Sequence, residues 1–218
     1  MTEALPRLLD QLARLGLRAT FFVEAINCEL YPGAVREIAA RGHEVGMHGW
    51  RHERWAGLAT DRERSLIERS VAGFSKVGVM AEGFRPPGGG LNSASPEILR
   101  AAGIRWCSPE GERFQARDGL AYVPFRWPLV DAYLLMDEFA ELRASHGDPR
   151  APLDPNEAER RLLAGLEGGS PRTLIMHPFL MLAPDWWASV QRVLAHVAAS
   201  GMSVAPGGAV AAVVEASG

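Results

Sequence analysis

Leu5, Leu8, Leu9, Leu12 and Leu15 recur at helical spacing, with Thr2 placed as a possible N-cap and Gly16 where a left-handed C-cap belongs. The chain is therefore predicted to open on a helix. Residues 17–23 follow as a β-branched and aromatic run that predicts a buried strand, with Glu24 at its C-terminal end. The phrase then repeats: a helix over 32–41, Gly42 and a strand over 44–48; a helix over 60–77 and a strand over 79–85; a helix over 96–102, Gly103 and a strand over 104–107; a helix over 185–200, Gly201 and a strand over 202–205. Residues 120–127 read as a further strand, 155–166 as a helix, and 173–176 as a compact strand that delivers His177 at its end. Helix, glycine and short apolar strand, repeated with little between, is the grammar of alternating parallel β/α units. Residues 129–155 mix apolar and charged positions around Gly147, Pro149 and Pro152, and are expected to wrap the domain as an insertion. The first helix has no strand before it, and its apolar face asks for one, so residues are expected to be missing upstream.

At 218 residues, 47% hydrophobic and 22% charged, the chain suits one domain spanning 1–218 with one substantial core. A net charge of −3 without a long basic run gives no footprint for nucleic acid or an anionic membrane surface. Cys28 and Cys107 are too few and too far apart for a disulfide framework, which points to free thiols in a reducing compartment. No basic and apolar leader opens the sequence, and no segment approaches the roughly 20 apolar residues of a spanning helix. The expected location is the cytoplasm.

Chemistry concentrates where strands are predicted to end. Gly46-Met47-His48-Gly49-Trp50-Arg51-His52 puts two imidazoles four positions apart after a buried strand, a spacing that lets both rings reach one zinc-like ion. Phe84-Arg85-Pro86-Pro87-Gly88 locks an arginine with two prolines and then opens into glycines where a ligand or another backbone can come close. Asp131 follows Trp127-Pro128-Leu129-Val130, and His177 stands between Met176 and Pro178. Each has an ordinary alternative: a strand-capping or solvated histidine, a rigid turn with a surface arginine, a turn aspartate, a hydrogen-bonded core histidine. Their common placement argues for more, because four strand ends would carry them to one rim of a parallel fold.

Taken together, residues 19–23, the Gly42 to His52 run, Phe84-Arg85-Pro86-Pro87 and Leu174-Ile175-Met176-His177 resemble, in that order, the polysaccharide deacetylase (NodB-homology, carbohydrate esterase four) family. The resemblance runs from about Leu5 to the C-terminus. It implies an α/β fold, a distorted (β/α) barrel of parallel strands, and a metal-dependent hydrolase that removes N- or O-acetyl groups from sugars. By that likeness His48 and His52 hold one divalent ion, zinc with cobalt or nickel as alternatives. Arg85 orients the catalytic base, His177 is the general acid, and Asp131 holds and tunes it. Trp127, Pro87 and Gly88 line the substrate. The Trp127 to Asp131 segment is similar to the Trp-x-Leu-Asp-Asp of the peptidoglycan-deacetylase and allantoinase-like branch, with Val130 in place of the first acid.

Family members begin with a strand ending in paired aspartates, one the catalytic base and one a metal ligand, and this chain starts after it. The resemblance therefore implies a barrel without its first strand. Glu24 is the residue that could substitute at the rim. His43 reads as structural, and His146 and His196 as solvent-facing. The implied reaction is hydrolysis of an N-acyl group on an amino sugar or related small amide. Two rivals stand beside it: a hydrolase of cyclic or small amides on the same fold, and a noncatalytic ligand-binding homologue.

Overall fold

The computed structural model describes residues 3–217, so Thr2 lies outside it. Its strands are β1 (Thr20–Val23), β2 (Glu44–Met47), β3 (Gly83–Phe84), β4 (Trp106–Cys107), β5 (Gln115–Arg117) and β6 (Leu120–Tyr122). Its helices are α1 (Ala4–Arg14), α2 (Asn27–Leu30), α3 (Pro32–Ala40), α4 (Thr60–Lys76), α5 (Ser95–Ala101), α6 (Asp131–Leu135), α7 (Ala140–Ser145), α8 (Pro155–Leu166), α9 (Pro184–Ala199) and α10 (Gly207–Ala216). They fall into two compact units: a sheet unit of residues 18–124 and 204–218, and a helical unit of residues 1–17 and 125–203.

The sheet unit holds all six strands in the order β1-β2-β3-β4-β6-β5. The first five in that order run parallel, and β5 folds back antiparallel on β6 as a hairpin, Ala116 facing Ala121. This is the parallel α/β arrangement that the helix, glycine and strand pattern implies. Two glycines let the strands pack closely. A Cβ on Gly46 would lie 2.7 Å from the Phe22 ring, and one on Gly83 would lie 2.3 Å from the Trp106 indole. Trp106 in turn centres a buried cluster with Ala121, Val123 and Ala211, so α10 covers the sheet through Ala211 and Val210.

Polar contacts seat α10. The Gly207 N–H donates to Thr20 Oγ1 at 2.7 Å and the Gly208 N–H to Glu44 Oε2 at 2.9 Å, while Thr20 Oγ1 and Trp106 Nε1 donate to the same carboxylate. A carboxylate against the first turn of a helix satisfies N–H groups that no carbonyl within the helix can reach.

In the helical unit, α1 buries Leu5, Leu8, Leu9 and Leu12, and Arg7 lies over the Trp187 ring of α9 at 4.7 Å. The apolar face of α1 is thus buried among the described residues. Asp154 caps α8, accepting the Asn156 and Glu157 N–H groups at 2.9 Å, and α8 packs on α9, where Ser189 Oγ donates to the Pro155 carbonyl at 3.3 Å and Arg192 Nη2 to Glu159 Oε2 at 2.6 Å. The stretch expected to wrap the domain as an insertion, 129–155, contains α6 and α7 and is organised by Arg143. Its guanidinium, 1% exposed, donates to the carbonyls of Tyr133, Met136, Pro149 and Arg150.

Two predicted strands do not form. Residues 173–176 make one parallel bridge, Ile175 to Val130, and 202–205 make none. The strand expected over 120–127 is confined to β6. Gly16, Gly42, Gly103 and Gly201 all take the positive φ expected of helix ends, at 66°, 80°, 83° and 74°. Among the described residues no helix is long and apolar enough to cross a membrane.

Candidate functional site

In the sheet unit, parallel hydrogen bonding continues one step past the strands and fixes the residues that follow them. The His48 N–H donates to the Val23 carbonyl at 3.0 Å, the Arg85 N–H to Met47 at 2.9 Å and the Ser108 N–H to Phe84 at 2.8 Å. The C-terminal ends of β2, β3 and β4 therefore present His48, Arg85 and Ser108 in succession, the position at which parallel α/β sheets carry their chemistry.

His48 is half-buried, and its Nδ1 lies 2.7 Å from the Arg85 carbonyl oxygen. A carbonyl can only accept, so Nδ1 carries the proton and the lone pair of the neutral ring is on Nε2. A backbone carbonyl on one ring nitrogen is the usual orienting partner of a histidine whose other nitrogen binds metal. The His52 ring is 4.8 Å from that of His48, centroid to centroid, at 79° between planes. His52 has φ 60°, a left-handed conformation that side chains rarely adopt and that is concentrated at functional sites.

Arg85 extends across the sheet end. Its Nε and Nη2 donate to Ser108 Oγ at 3.3 and 2.9 Å, and its guanidinium carbon lies 4.1 Å from the centre of the Phe22 ring. Burial pulls its pKa down to about 9, so the group is still a cation at neutral pH. Pro87 is buried and its carbonyl accepts the Trp55 N–H at 3.4 Å; Gly88 is exposed with φ 78°. Behind them, fully buried Glu63 accepts Trp55 Nε1 and Asn92 Nδ2, each at 3.0 Å, tying the loop after His52 to the loop after Gly88.

As donors for a divalent ion, the two imidazoles fit in kind, and His48 also in tautomer, supplying two of the roughly four ligands a zinc-like ion takes. Among the described residues no group of three or more His, Cys, Asp or Glu is placed to hold a metal ion, so Glu24 does not complete a set. His43 is structural: buried, it accepts the Ala19 N–H at 3.3 Å and packs edge-on to Phe21. Burial, then Arg18 and Arg41, hold its pKa down, which favours the neutral ring that accepts this bond.

In the helical unit, the Val130–Ile175 bridge brings Asp131 to His177. Asp131 is fully buried at the start of α6 and accepts three N–H groups: the Ala132 and His177 backbone, each at 2.7 Å, and His177 Nδ1 at 2.5 Å. The His177 side chain is 32% exposed and its ring centre lies 5.5 Å from that of Phe179. A buried carboxylate on one imidazole nitrogen, with the ring partly open, is how a histidine is oriented for proton transfer. Trp127 is 8% exposed among Phe125, Tyr133 and Phe139, and its indole N–H is buried without a hydrogen-bond partner. His146 and His196 are exposed as expected, although His146 Nδ1 lies 3.4 Å from the Tyr133 hydroxyl.

The structure thus brings together His48, His52 and Arg85 in one unit and Asp131 and His177 in the other. The sequence reading missed Glu63, Ser108 and Arg143, all buried polar groups whose partners are remote in sequence.

A parallel α/β sheet with imidazoles and an arginine at its strand ends in one unit, and a carboxylate-held histidine in the other, define an α/β protein with the groups for acid–base and cation chemistry. The family model for polysaccharide deacetylase matches residues 1–107, so this stretch of the chain is similar to that family. A peptidoglycan-N-acetylglucosamine deacetylase of Listeria monocytogenes is 31% identical over 102 residues, 46% of this chain and 22% of that protein. Chitin deacetylase 1 of Saccharomyces cerevisiae is 35% identical over 104 residues, 47% of this chain and 33% of that protein. The chain therefore spans a third or less of these two relatives. A solved chain of Mycobacterium smegmatis assigned as a polysaccharide deacetylase superimposes with a TM-score of 0.84 at 29% identity, over 98% of this chain and 77% of the other.

Proposed function

We propose that this chain hydrolyses the N-acetyl group of an amino sugar within a larger glycan, as the names of its Listeria and yeast relatives suggest. The observation that carries this reading is the Asp131–His177 pair, a buried carboxylate holding a partly open imidazole by Nδ1. Protonated, His177 gives its Nε2 proton to the departing amine as the C–N bond breaks, and Asp131 stabilises the imidazolium and keeps the ring aligned. His48 and His52 are the residues that would hold one divalent ion, zinc or cobalt. Bound there, the ion would supply Lewis-acid polarisation of the acyl carbonyl. Arg85 contributes fixed positive charge at the strand ends. Water adds to the carbonyl carbon and releases its proton to solvent, from which His177 is reprotonated, and the products are the free amine and acetate.

A second reading, a noncatalytic sugar-binding homologue, is favoured by one observation: the described residues contain no three-donor group for a metal. Incubating the purified chain with Zn²⁺ or Co²⁺ and an N-acetylglucosamine oligomer separates the two. Acetate release that is lost in His177→Ala supports hydrolysis. Saturable binding of the oligomer with no acetate released overturns it in favour of the noncatalytic reading.

A further inference from the structure

The turn between the two histidines is held in an unusual shape. Gly49 and His52 both have positive φ, 71° and 60°, within four residues. One side of the turn is pinned by its carbonyls, Gly49 accepting the Ala25 N–H and Trp50 the Ile26 N–H, each at 3.0 Å. The other side is pinned by one atom. Glu53 Oε2 accepts the N–H groups of both Trp50 and Arg51, each at 3.0 Å, reaching back over His52 to do so. A Cβ on Gly49 would lie 3.0 Å from that same oxygen, so the glycine makes room for the carboxylate. The Trp50 ring, buried beneath the Arg69 guanidinium at 3.8 Å, anchors the turn from below.

From this geometry we infer that Glu53 is a positioning residue: by clamping the Trp50 and Arg51 amides it fixes the turn that holds the His48 and His52 rings 4.8 Å apart. The consequence for cation binding rests on the reading of these histidines as the holders of a divalent ion. Glu53 is not itself a donor in a three-residue group with them. Its oxygen is committed to two backbone donors, as expected of a group that orients ligands. Loosening the turn makes a bound ion bear the entropy of bringing the rings together, and removing such orienting partners typically lowers metal affinity about 10- to 100-fold.

The discriminating comparison is between Glu53→Ala and Glu53→Gln. The glutamine side-chain oxygen can accept the same two N–H groups, whereas alanine offers nothing. With Co²⁺ as the probe, followed by calorimetry and visible absorption, Glu53→Ala should bind about 10- to 100-fold more weakly with an altered spectrum. Glu53→Gln should stay within about threefold of the parent. Unchanged affinity in Glu53→Ala overturns the inference. So does a Glu53→Gln variant as weak as Glu53→Ala, which would make the charge the active property rather than the clamp. A parent chain that takes up no Co²⁺ would sink the cation reading alone. The clamp is then decided by NMR: the nuclear Overhauser contacts between the two imidazoles and the downfield Trp50 and Arg51 amides must disappear in Glu53→Ala and persist in Glu53→Gln, and their survival in Glu53→Ala overturns it.

Discussion

Asp131 and His177, 46 residues apart, are joined twice: one carboxylate oxygen takes the histidine's backbone N–H at 2.7 Å, and the other takes its ring Nδ1 at 2.5 Å. The double attachment fixes both the main chain that carries the imidazole and the ring's rotation about it. Removing the acid and removing the carboxylate should therefore differ. His177→Ala should lower turnover of an N-acetyl amine by roughly 10² to 10⁴, with partial rescue on an ester or activated anilide whose leaving group needs no proton. Asp131→Asn should lower turnover and also cost about 1–3 kcal/mol of stability, since a buried amide cannot accept all three N–H groups. Equal losses on good and poor leaving groups at unchanged stability would remove His177 from the acid role.

The imidazole pair makes a separate forecast. The His48→Ala, His52→Ala double variant should lose most Co²⁺ or Zn²⁺ affinity in competition with a chromogenic chelator while its melting temperature changes little, because both rings sit at the edge of the fold. Unchanged affinity would place the ion elsewhere.

Arg143 should matter to stability alone. Replacing it by methionine keeps the volume but leaves four carbonyl groups short of a donor, a cost of at least about 2 kcal/mol. Urea unfolding is the measurement, and a variant as stable as the parent would mean that water replaces the guanidinium without loss.

The two buried thiols set an alkaline limit. Burial pushes Cys28 up to about 11 and Cys107 to about 12, from an ordinary 9.0. Because the folded values are raised, their contribution to stability is complete below about pH 9, where the unfolded thiols also stay protonated. It is lost as pH rises toward 11–12 and the unfolded chain gains thiolates that the folded chain resists. A Cys28→Ala, Cys107→Ala variant should lose less stability than the parent between pH 9 and 11. In the folded parent, both thiols should react slowly with an aromatic disulfide at pH 8.

Much of this was written in local pattern. Six long helices are legible because their apolar faces repeat every three or four residues and end in glycine, and β1 and β2 because their apolar runs are bounded by such helices. Residues 173–176 and 202–205 look equally strand-like, yet a strand exists only where a neighbour pairs along its length, and the former has one bridge to Val130. Helix α10 was hidden by its sequence, two glycines and an apolar run with no polar stripe. The same division holds for function. His48, His52, Arg85, Asp131 and His177 stand in recognisable motifs. Ser108, Glu53 and Arg143 gain their roles only from partners the fold supplies.

Helix α10 carries a consequence for how the molecule is made. Gly207 and Thr20, whose hydrogen bond seats it, are 187 positions apart, and the entire run 125–203 is translated between the sheet and the helix that covers Trp106. On the ribosome, β1 to β6 emerge before α10 and must wait with a large indole uncovered until residues 207–211 leave the exit tunnel. Late docking of so distant a segment is a high-contact-order step, slow and exposed to aggregation. The interval during which the Trp106 indole stays uncovered on a nascent chain is therefore set by the synthesis time of residues 125–203.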